Sequence, residues 1–69
     1  MITLEQIHGK IKEAIKLSGL SQGEISRRLG VTHQTVSHYV KGDKMPALDT
    51  LANLCVVLDL DANEILCVK

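Results

Sequence analysis

The sequence predicts an all-α fold, a compact bundle of five helices in one domain that spans residues 1–69. Apolar residues recur three and four positions apart, and no stretch alternates in the manner of a β-strand. Capping residues precede the apolar stretches, and glycines follow several of them. The core is expected to be aliphatic, because Tyr39 is the only aromatic residue among ten Leu, six Ile and six Val.

The first three helices have clear start and stop signals. Thr3 with Gln6 predicts a capping box, and Gly19 predicts the end of the first helix. Its inward face is expected to carry Leu4, Ile7, Ile11, Ala14 and Ile15. A second capping box, Ser21 with Glu24, opens a short helix that ends at Gly30, with Ile25 and Leu29 inward. Thr32 is expected to cap a third helix that runs to about Lys41 and ends at Gly42.

Two further helices follow the third. Pro46 marks the predicted start of the fourth helix. Its inward face is expected to carry Leu48, Leu51, Ala52, Cys55 and Leu58. Asp61 and Glu64 form a cap pair for a last short helix that carries Ile65 and Leu66.

The third helix has two unlike faces at 100° per residue. Its polar arc consists of His33, Gln34, Ser37, His38 and Lys41, whereas Thr35, Val36, Tyr39 and Val40 lie on the opposite arc. The polar arc contains no acidic residue, and its side chains offer donors and acceptors suited to the edges of DNA bases. Taken alone, the arc is equally compatible with an ordinary solvated face.

The layout of the second and third helices favours DNA recognition over that alternative. A short helix, a turn at Gly30-Val31 and a second short helix form a helix-turn-helix over about residues 21–42. Glycine suits position 30 because such a turn requires a positive φ. Val31 is expected to pack between the two helices.

The stretch Leu20–Gly42, LSQGEISRRLGVTHQTVSHYVKG, resembles the helix-turn-helix of lambda-repressor/Cro-like regulators. The resemblance continues through PALDTLANLC and LDLDANEIL to Leu66 and so covers nearly the whole chain. It implies a five-helix bundle of the lambda-repressor-like DNA-binding domain type. It further implies a transcriptional regulator, expected to be a repressor, whose recognition helix (about 32–41) enters the major groove of double-stranded DNA.

The resemblance also assigns roles to individual residues. The positions that read bases fall on His33, Gln34, Ser37 and His38. Gln22, at the start of the second helix, matches a glutamine that holds a DNA phosphate. Further phosphate contacts are expected from Arg28, Thr32, Thr35, Lys41 and Lys44. For Gln22 and for the two lysines, the alternative is a solvated surface side chain.

Three positions depart from the pattern of the family. His33 and His38 stand where many relatives have Arg or Lys, which removes fixed charge and introduces contacts sensitive to pH. Ser26 replaces a small Ala and is tolerable if its hydroxyl bonds back into the helix. Asp59 replaces a Gly that commonly follows the fourth helix; Asp can enter the left-handed region, though less easily than Gly.

The net charge of zero is an average over unlike segments. Residues 1–20 sum to +1, residues 21–44 to +2 and residues 45–69 to −3. The positive charge therefore gathers on the motif, as expected for a protein that binds DNA on one side. Neutrality does not exclude nucleic acid, but it predicts weak non-specific affinity.

No cofactor or metal is expected, and the chain is expected not to be an enzyme. His33 and His38 lie about 140° apart on their helix and cannot clamp one metal, and no nucleophile elbow or phosphate-binding Gly loop occurs. Cys55 and Cys67 are most simply reduced thiols, which predicts a cytoplasmic location. No membrane span or signal peptide is recognisable.

One such module reads few base pairs, so a homodimer is expected, with its surface at the C-terminal helix (Ile65, Leu66 and Val68). These three residues are alternatively part of the core. Two rival functions remain open from the sequence. One is the same fold used as a protein-interaction module, antitoxin-like or anti-regulator, with weak or no DNA binding. The other is a small catalytic or metal protein.

Overall fold

A computed structural model describes all residues from 1 to 69 and contains five α-helices and no strand. The helices are α1 (Leu4–Leu17), α2 (Gln22–Leu29), α3 (His33–Lys41), α4 (Leu48–Val57) and α5 (Ala62–Ile65). The predicted all-α bundle is confirmed. No helix combines the length and the apolar character that crossing a membrane requires.

Several helix ends follow the predicted local chemistry. Thr3 and Gln6 form a complete capping box at α1, and Thr32 caps α3 by accepting a hydrogen bond from the Thr35 amide. Gly30 and Gly42 both adopt the left-handed conformation, with φ of 73° and 92°. At each end, the residue after the glycine donates its amide to the carbonyl five positions back, which closes the helix with a Schellman-type bond.

Three helix starts differ from the prediction. Ser21 accepts from the Glu24 amide, but the Glu24 carboxylate does not return to the cap because it pairs with arginines one turn along α2. Asp61 caps α5 through the Asn63 amide rather than with Glu64. α4 begins at Leu48, two residues after Pro46, and its N-cap residue has no side-chain cap bond.

Nine apolar residues form the buried core, and the largest fully buried side chains are those of Ile11, Ile25, Val36 and Leu54. On α4, the predicted face is partly wrong. Leu48 is 85% exposed and Ala52 is also exposed, whereas Leu54 is buried with Leu51 and Cys55. Leu4 is likewise exposed on the first turn of α1. Leu4 and Leu48 lie in the first turn of their helices, beyond the edge of the core. The inward stripe of α4 instead consists of Leu51, Leu54, Cys55 and Leu58, at helical spacing.

The helix-turn-helix is closed by packing beneath its turn. Ile25 of α2 and Val36 of α3 are both fully buried, and Val31 packs against the same core. The Ser26 hydroxyl donates to the Gly23 carbonyl at 2.7 Å, so this small polar residue is satisfied within α2 as predicted. Asp59 adopts the left-handed conformation with φ of 54°, which also agrees with the prediction.

The C-terminal helix closes the core, so the predicted dimer surface needs a correction. Ile65 is only 5% exposed and belongs to the core, where α5 packs on α1, and it offers no surface to a partner. Leu66 is half-buried against the core, outside the helix as its C-cap. Val68 is the exposed member, at 62%.

Candidate nucleic-acid interface

The orientation of α3 is set by its buried side. Val36 and Tyr39 are buried, and Tyr39 packs in the core, where burial and, to a smaller extent, the nearby charge of Asp49 raise the pKa of its hydroxyl. His33 and Gln34 are therefore exposed at the start of the helix, and Ser37 lies one turn further along.

A surface depression brings together residues of α2 and α3 that the sequence singled out. It is lined by Gln22, Thr32, His33, Gln34 and Ser37. No lining residue is apolar or acidic. Four of these side chains form no hydrogen bond within the protein, namely those of Gln22, His33, Gln34 and Ser37. The side-chain hydrogen bonds around α3 are made by Thr32, Thr35 and His38. Their donors and acceptors are thus available to a ligand.

The hydroxyls of Thr32 and Thr35 have partners already. Thr32 Oγ1 accepts from the Thr35 amide at 3.1 Å and lies 2.8 Å from Thr35 Oγ1. The predicted capping role of Thr32 is confirmed. Because a hydroxyl has one donor and two acceptor positions, this pair retains capacity for a further contact.

His38 lies apart from the depression and is held by Asp43, an acidic residue outside α3 that the pattern of the helix does not indicate. Its Nδ1 is 3.1 Å from Oδ2 of Asp43, one residue past Gly42. Since a carboxylate only accepts, Nδ1 carries the proton. In the neutral ring, Nε2 is then an acceptor, which suits the amino groups of adenine or cytosine.

The two arginines of α2 bind the Glu24 carboxylate unequally. Arg27 donates to both of its carboxylate oxygens at 2.8 Å, whereas Arg28 makes one longer contact of 3.4 Å. The hydrogen bond from Arg27 is the main cause of the lowered pKa of the Glu24 carboxyl. Arg28 therefore keeps most of its N–H donors unengaged, and both arginines point outward.

Lys41 and Lys44 lie at the end of α3 and in the turn that follows it. Both are exposed, and neither forms an ion pair. Lys41 is the last residue of the polar arc, and Lys44 lies three positions beyond it.

His8 of α1 contacts the end of α3 and was missed from the sequence. Its Nε2 lies 2.6 Å from the carbonyl oxygen of Tyr39, and the ring is half-buried. A signal was present, because at about 100° per residue His8 falls only about 20° from Ile15 at the edge of the apolar stripe. A lone histidine at such an edge does not reveal its partner.

Both cysteines are free thiols. Cys55 is buried, and burial raises the pKa of its thiol, with a smaller contribution from the charge of Asp61. Cys67 is a half-buried free thiol. No group of three His, Cys, Asp or Glu side chains is arranged to hold a metal ion.

Comparison with known proteins shows which family the chain belongs to. A helix-turn-helix family model matches residues 11–65. The chain belongs to the Cro/C1-type helix-turn-helix family of DNA-binding transcription regulators. A relative from Bacillus subtilis (strain 168), named "Uncharacterized HTH-type transcriptional regulator YgzD", is 32% identical over 56 residues, which cover 81% of this chain and 85% of that protein. No solved structure gave a significant match. The all-α lambda-repressor-like fold of this family member is that predicted from its sequence.

Proposed function

We propose that this family member is a sequence-specific repressor of transcription that inserts α3 into the major groove of double-stranded DNA. The observation that carries the proposal is the depression lined by Gln22, Thr32, His33, Gln34 and Ser37. It joins the start of α2 to the exposed side of α3 without any acidic or apolar group. Such a surface suits a phosphate beside a base edge.

Base contacts come from the first two turns of α3 in this proposal. Gln34 is exposed and its amide has no partner, so it can pair with adenine through two hydrogen bonds. Ser37 and His33 border it in the depression and supply a hydroxyl and an imidazole. His38 reads a neighbouring base through Nε2, with Asp43 holding its ring.

Phosphate contacts flank this base-reading surface. Gln22 opens α2, where unpaired backbone amides and the partial positive charge of the helix N-terminus favour an anion. Thr32 and Thr35 add hydroxyls at the start of α3. Lys41 and Lys44 supply cations without an ion pair, and Arg28, whose single contact with Glu24 is 3.4 Å long, keeps N–H donors for a phosphate.

The assembly proposed on DNA is a homodimer with two-fold symmetry on a pseudo-palindromic operator. Support comes from the small reading surface of one copy and from the exposed apolar side chain of Val68 near α5. Ile65 is buried and takes no part. The half-sites are expected to lie about one helical turn of DNA apart.

Protein interaction is the second candidate function, and the formal net charge of zero favours it. DNA-binding domains gain non-specific affinity from excess cations, and here these amount to only +2 over residues 21–44. In an antitoxin-like or anti-regulator role, the same polar surface would contact a protein instead of DNA.

One experiment separates the two candidates. DNA selected from a random pool by the full chain, and random DNA as its control, are titrated with the protein at several salt concentrations. We expect selective binding whose logarithmic affinity falls linearly with the logarithm of the salt concentration. A slope near zero, or no binding at low salt, would contradict DNA recognition.

Charge-removing variants refine this test. Lys41→Gln and Lys44→Gln are each expected to weaken binding to all sequences and to reduce the salt slope by about 1. Lys10→Gln is the matched control, because Lys10 lies in the groove between α1 and the α5 end of the chain. An equal effect of all three substitutions would argue against a phosphate role for the two lysines.

A further inference from the structure

The C-terminal end of α3 exposes backbone carbonyls that the helix does not satisfy. The Asp43 amide would bond the Tyr39 carbonyl if α3 continued. At the Gly42 turn it instead donates to the His38 carbonyl at 3.1 Å, which also accepts from Gly42 at 2.9 Å. The Tyr39 carbonyl thus has no backbone donor.

His8 supplies the missing donor from a different helix. Its Nε2 is 2.6 Å from the Tyr39 carbonyl oxygen, across 31 positions of sequence. A carbonyl oxygen only accepts, so Nε2 carries the proton and donates. α1 therefore caps the recognition helix through a tertiary hydrogen bond.

The same ring also fills the space beside Gly42. A Cβ at position 42 would lie 2.7 Å from Cε1 of His8 and 3.2 Å from both ring nitrogens. The positive φ of Gly42 already favours glycine, and the ring adds a steric reason. His8 thus contacts both the last turn of α3 and the turn that leaves it.

We propose that His8 is a positioning residue for DNA recognition, which clamps the end of α3 and its following turn onto α1. The inference rests on the proposed function. The start of α3 is held by α2 through Ile25, Val36 and the Gly30 turn. His8 holds the opposite end, so the two contacts together fix the direction of α3.

The clamp acts on the residues proposed to grip phosphate. Lys41 precedes Gly42 and Lys44 follows it by two positions, so both stand on the segment that His8 holds. Without the clamp, the last turn of α3 is expected to fray, because its Tyr39 carbonyl would lose its donor. The two lysines would then lose their fixed separation, whereas Gln34 at the start of α3 would remain in place.

The test compares His8→Ala, His8→Gln and Ile15→Val with the unsubstituted chain. Glutamine offers an amide donor at a reach similar to that of Nε2, so it should restore part of the clamp. Ile15→Val is the matched control, because it creates a small cavity in the core on the same helix without touching Gly42. The readouts are Tm, amide hydrogen exchange at Gly42 and Asp43, and Kd and salt slope on selected DNA.

For His8→Ala we expect amide exchange at Gly42 and Asp43 to accelerate about tenfold relative to the rest of α3. We also expect about tenfold weaker binding and a shallower salt slope, with the base preference contributed by Gln34 retained. His8→Gln should recover part of each change. Ile15→Val should lower Tm with neither change localised to the end of α3.

Three results would overturn the clamp. The first is unchanged exchange at Gly42 and Asp43 in His8→Ala, and the second is the same Kd and slope as the unsubstituted chain. The third is an effect on binding that Ile15→Val reproduces at equal loss of Tm. Absence of selective DNA binding by the unsubstituted chain would instead contradict the proposed function, with exchange still reporting whether the hydrogen bond holds the helix end.

A double-substitution cycle gives an independent measure of the contact. Gly42→Ala is expected to lower Tm through the clash with the ring and through its positive φ. In the His8→Ala background the clash is absent, so the added loss from Gly42→Ala should be smaller. Strictly additive losses of Tm would show that the His8 ring does not clash with a Cβ at position 42.

Discussion

At the scale of single residues, the interface depends on which side chains the protein leaves without partners. Glu24 and Asp43 engage Arg27 and His38, and Thr32 engages Thr35. Gln34 has no intramolecular hydrogen bond and is exposed at the start of α3. A side chain in this condition loses only water contacts when it binds a base, so its removal should be felt directly in recognition.

Gln34→Ala is therefore expected to cost about 1–3 kcal/mol on selected DNA and to relax one base position. Asn53→Ala is the matched control, since it removes an exposed amide from α4. Binding measured on the selected sequence and on its single-base variants checks the prediction. An equal loss on every sequence would assign Gln34 a role other than base reading.

At the scale of elements, the short α5 has its N-terminus held by a carboxylate with two partners. It contains four residues, and Asp61 both caps it through the Asn63 amide and accepts from Lys69 at 2.9 Å. The hydrogen bond from Lys69, followed by that from the Asn63 amide, lowers the pKa of the Asp61 carboxyl below its ordinary 3.8. The ionised carboxylate therefore favours the folded state.

The sign of the resulting pH dependence follows from linkage. A lowered pKa in the folded state gives stability that is present above the ordinary value and is lost as the pH falls through the lowered one. Asp61→Asn retains a capping side chain but removes the charge. We expect its Tm to be lower than that of the unsubstituted chain at pH 7, and the difference to shrink as the pH falls from about 5 to 2.

Thermal unfolding followed by circular dichroism over this pH range checks the prediction. Glu13→Gln serves as the control, because Glu13 is an exposed carboxylate of α1 that forms no ion pair. A Tm difference for Asp61→Asn that does not change with pH would show that the ionised state of Asp61 does not stabilise the fold.

At the scale of the whole molecule, charge is separated along the chain and apolar surface is left near its last helix. Residues 21–44 carry the excess of positive charge, and residues 45–69 carry the negative charge. Among the exposed apolar side chains, Val68 lies beside α5 and Val56 lies on α4. In the proposed complex, this separation would turn residues 21–44 towards the DNA phosphates and the acidic part of the chain away from them.

If the proposed dimer uses the surface at Val68, Val68→Glu should weaken cooperative binding to a two-half-site operator and leave binding to a single half-site unchanged. A buried carboxylate without a partner disfavours association. Val56→Glu is the matched control at a comparably exposed valine. Sedimentation of the complexes on both DNAs reports the stoichiometry. An equal response of the two variants, or one protein copy on the full operator, would contradict this dimer.

Much of the architecture could be predicted because it rests on interactions within one or two helical turns. The Thr3–Gln6 box and the glycine ends at 30 and 42 follow from residues at most five positions apart, and the acid-free arc of α3 lies within residues 33–41. Such short-range chemistry leaves its pattern in the sequence. The fold class and the residue types on the exposed side of α3 could therefore be predicted from the sequence.

Competition between partners and packing between distant segments could not be read in the same way. Glu24 has competing local partners, its own cap and two arginines one turn along α2, and the sequence does not say which of them it binds. The burial of Leu54 in place of Leu48 depends on what lies opposite α4. The bond from His8 to the Tyr39 carbonyl spans 31 positions and exists only because α1 crosses the end of α3. Local propensity establishes each helix and its polar face, whereas the mutual placement of the helices determines which side chains remain available to DNA.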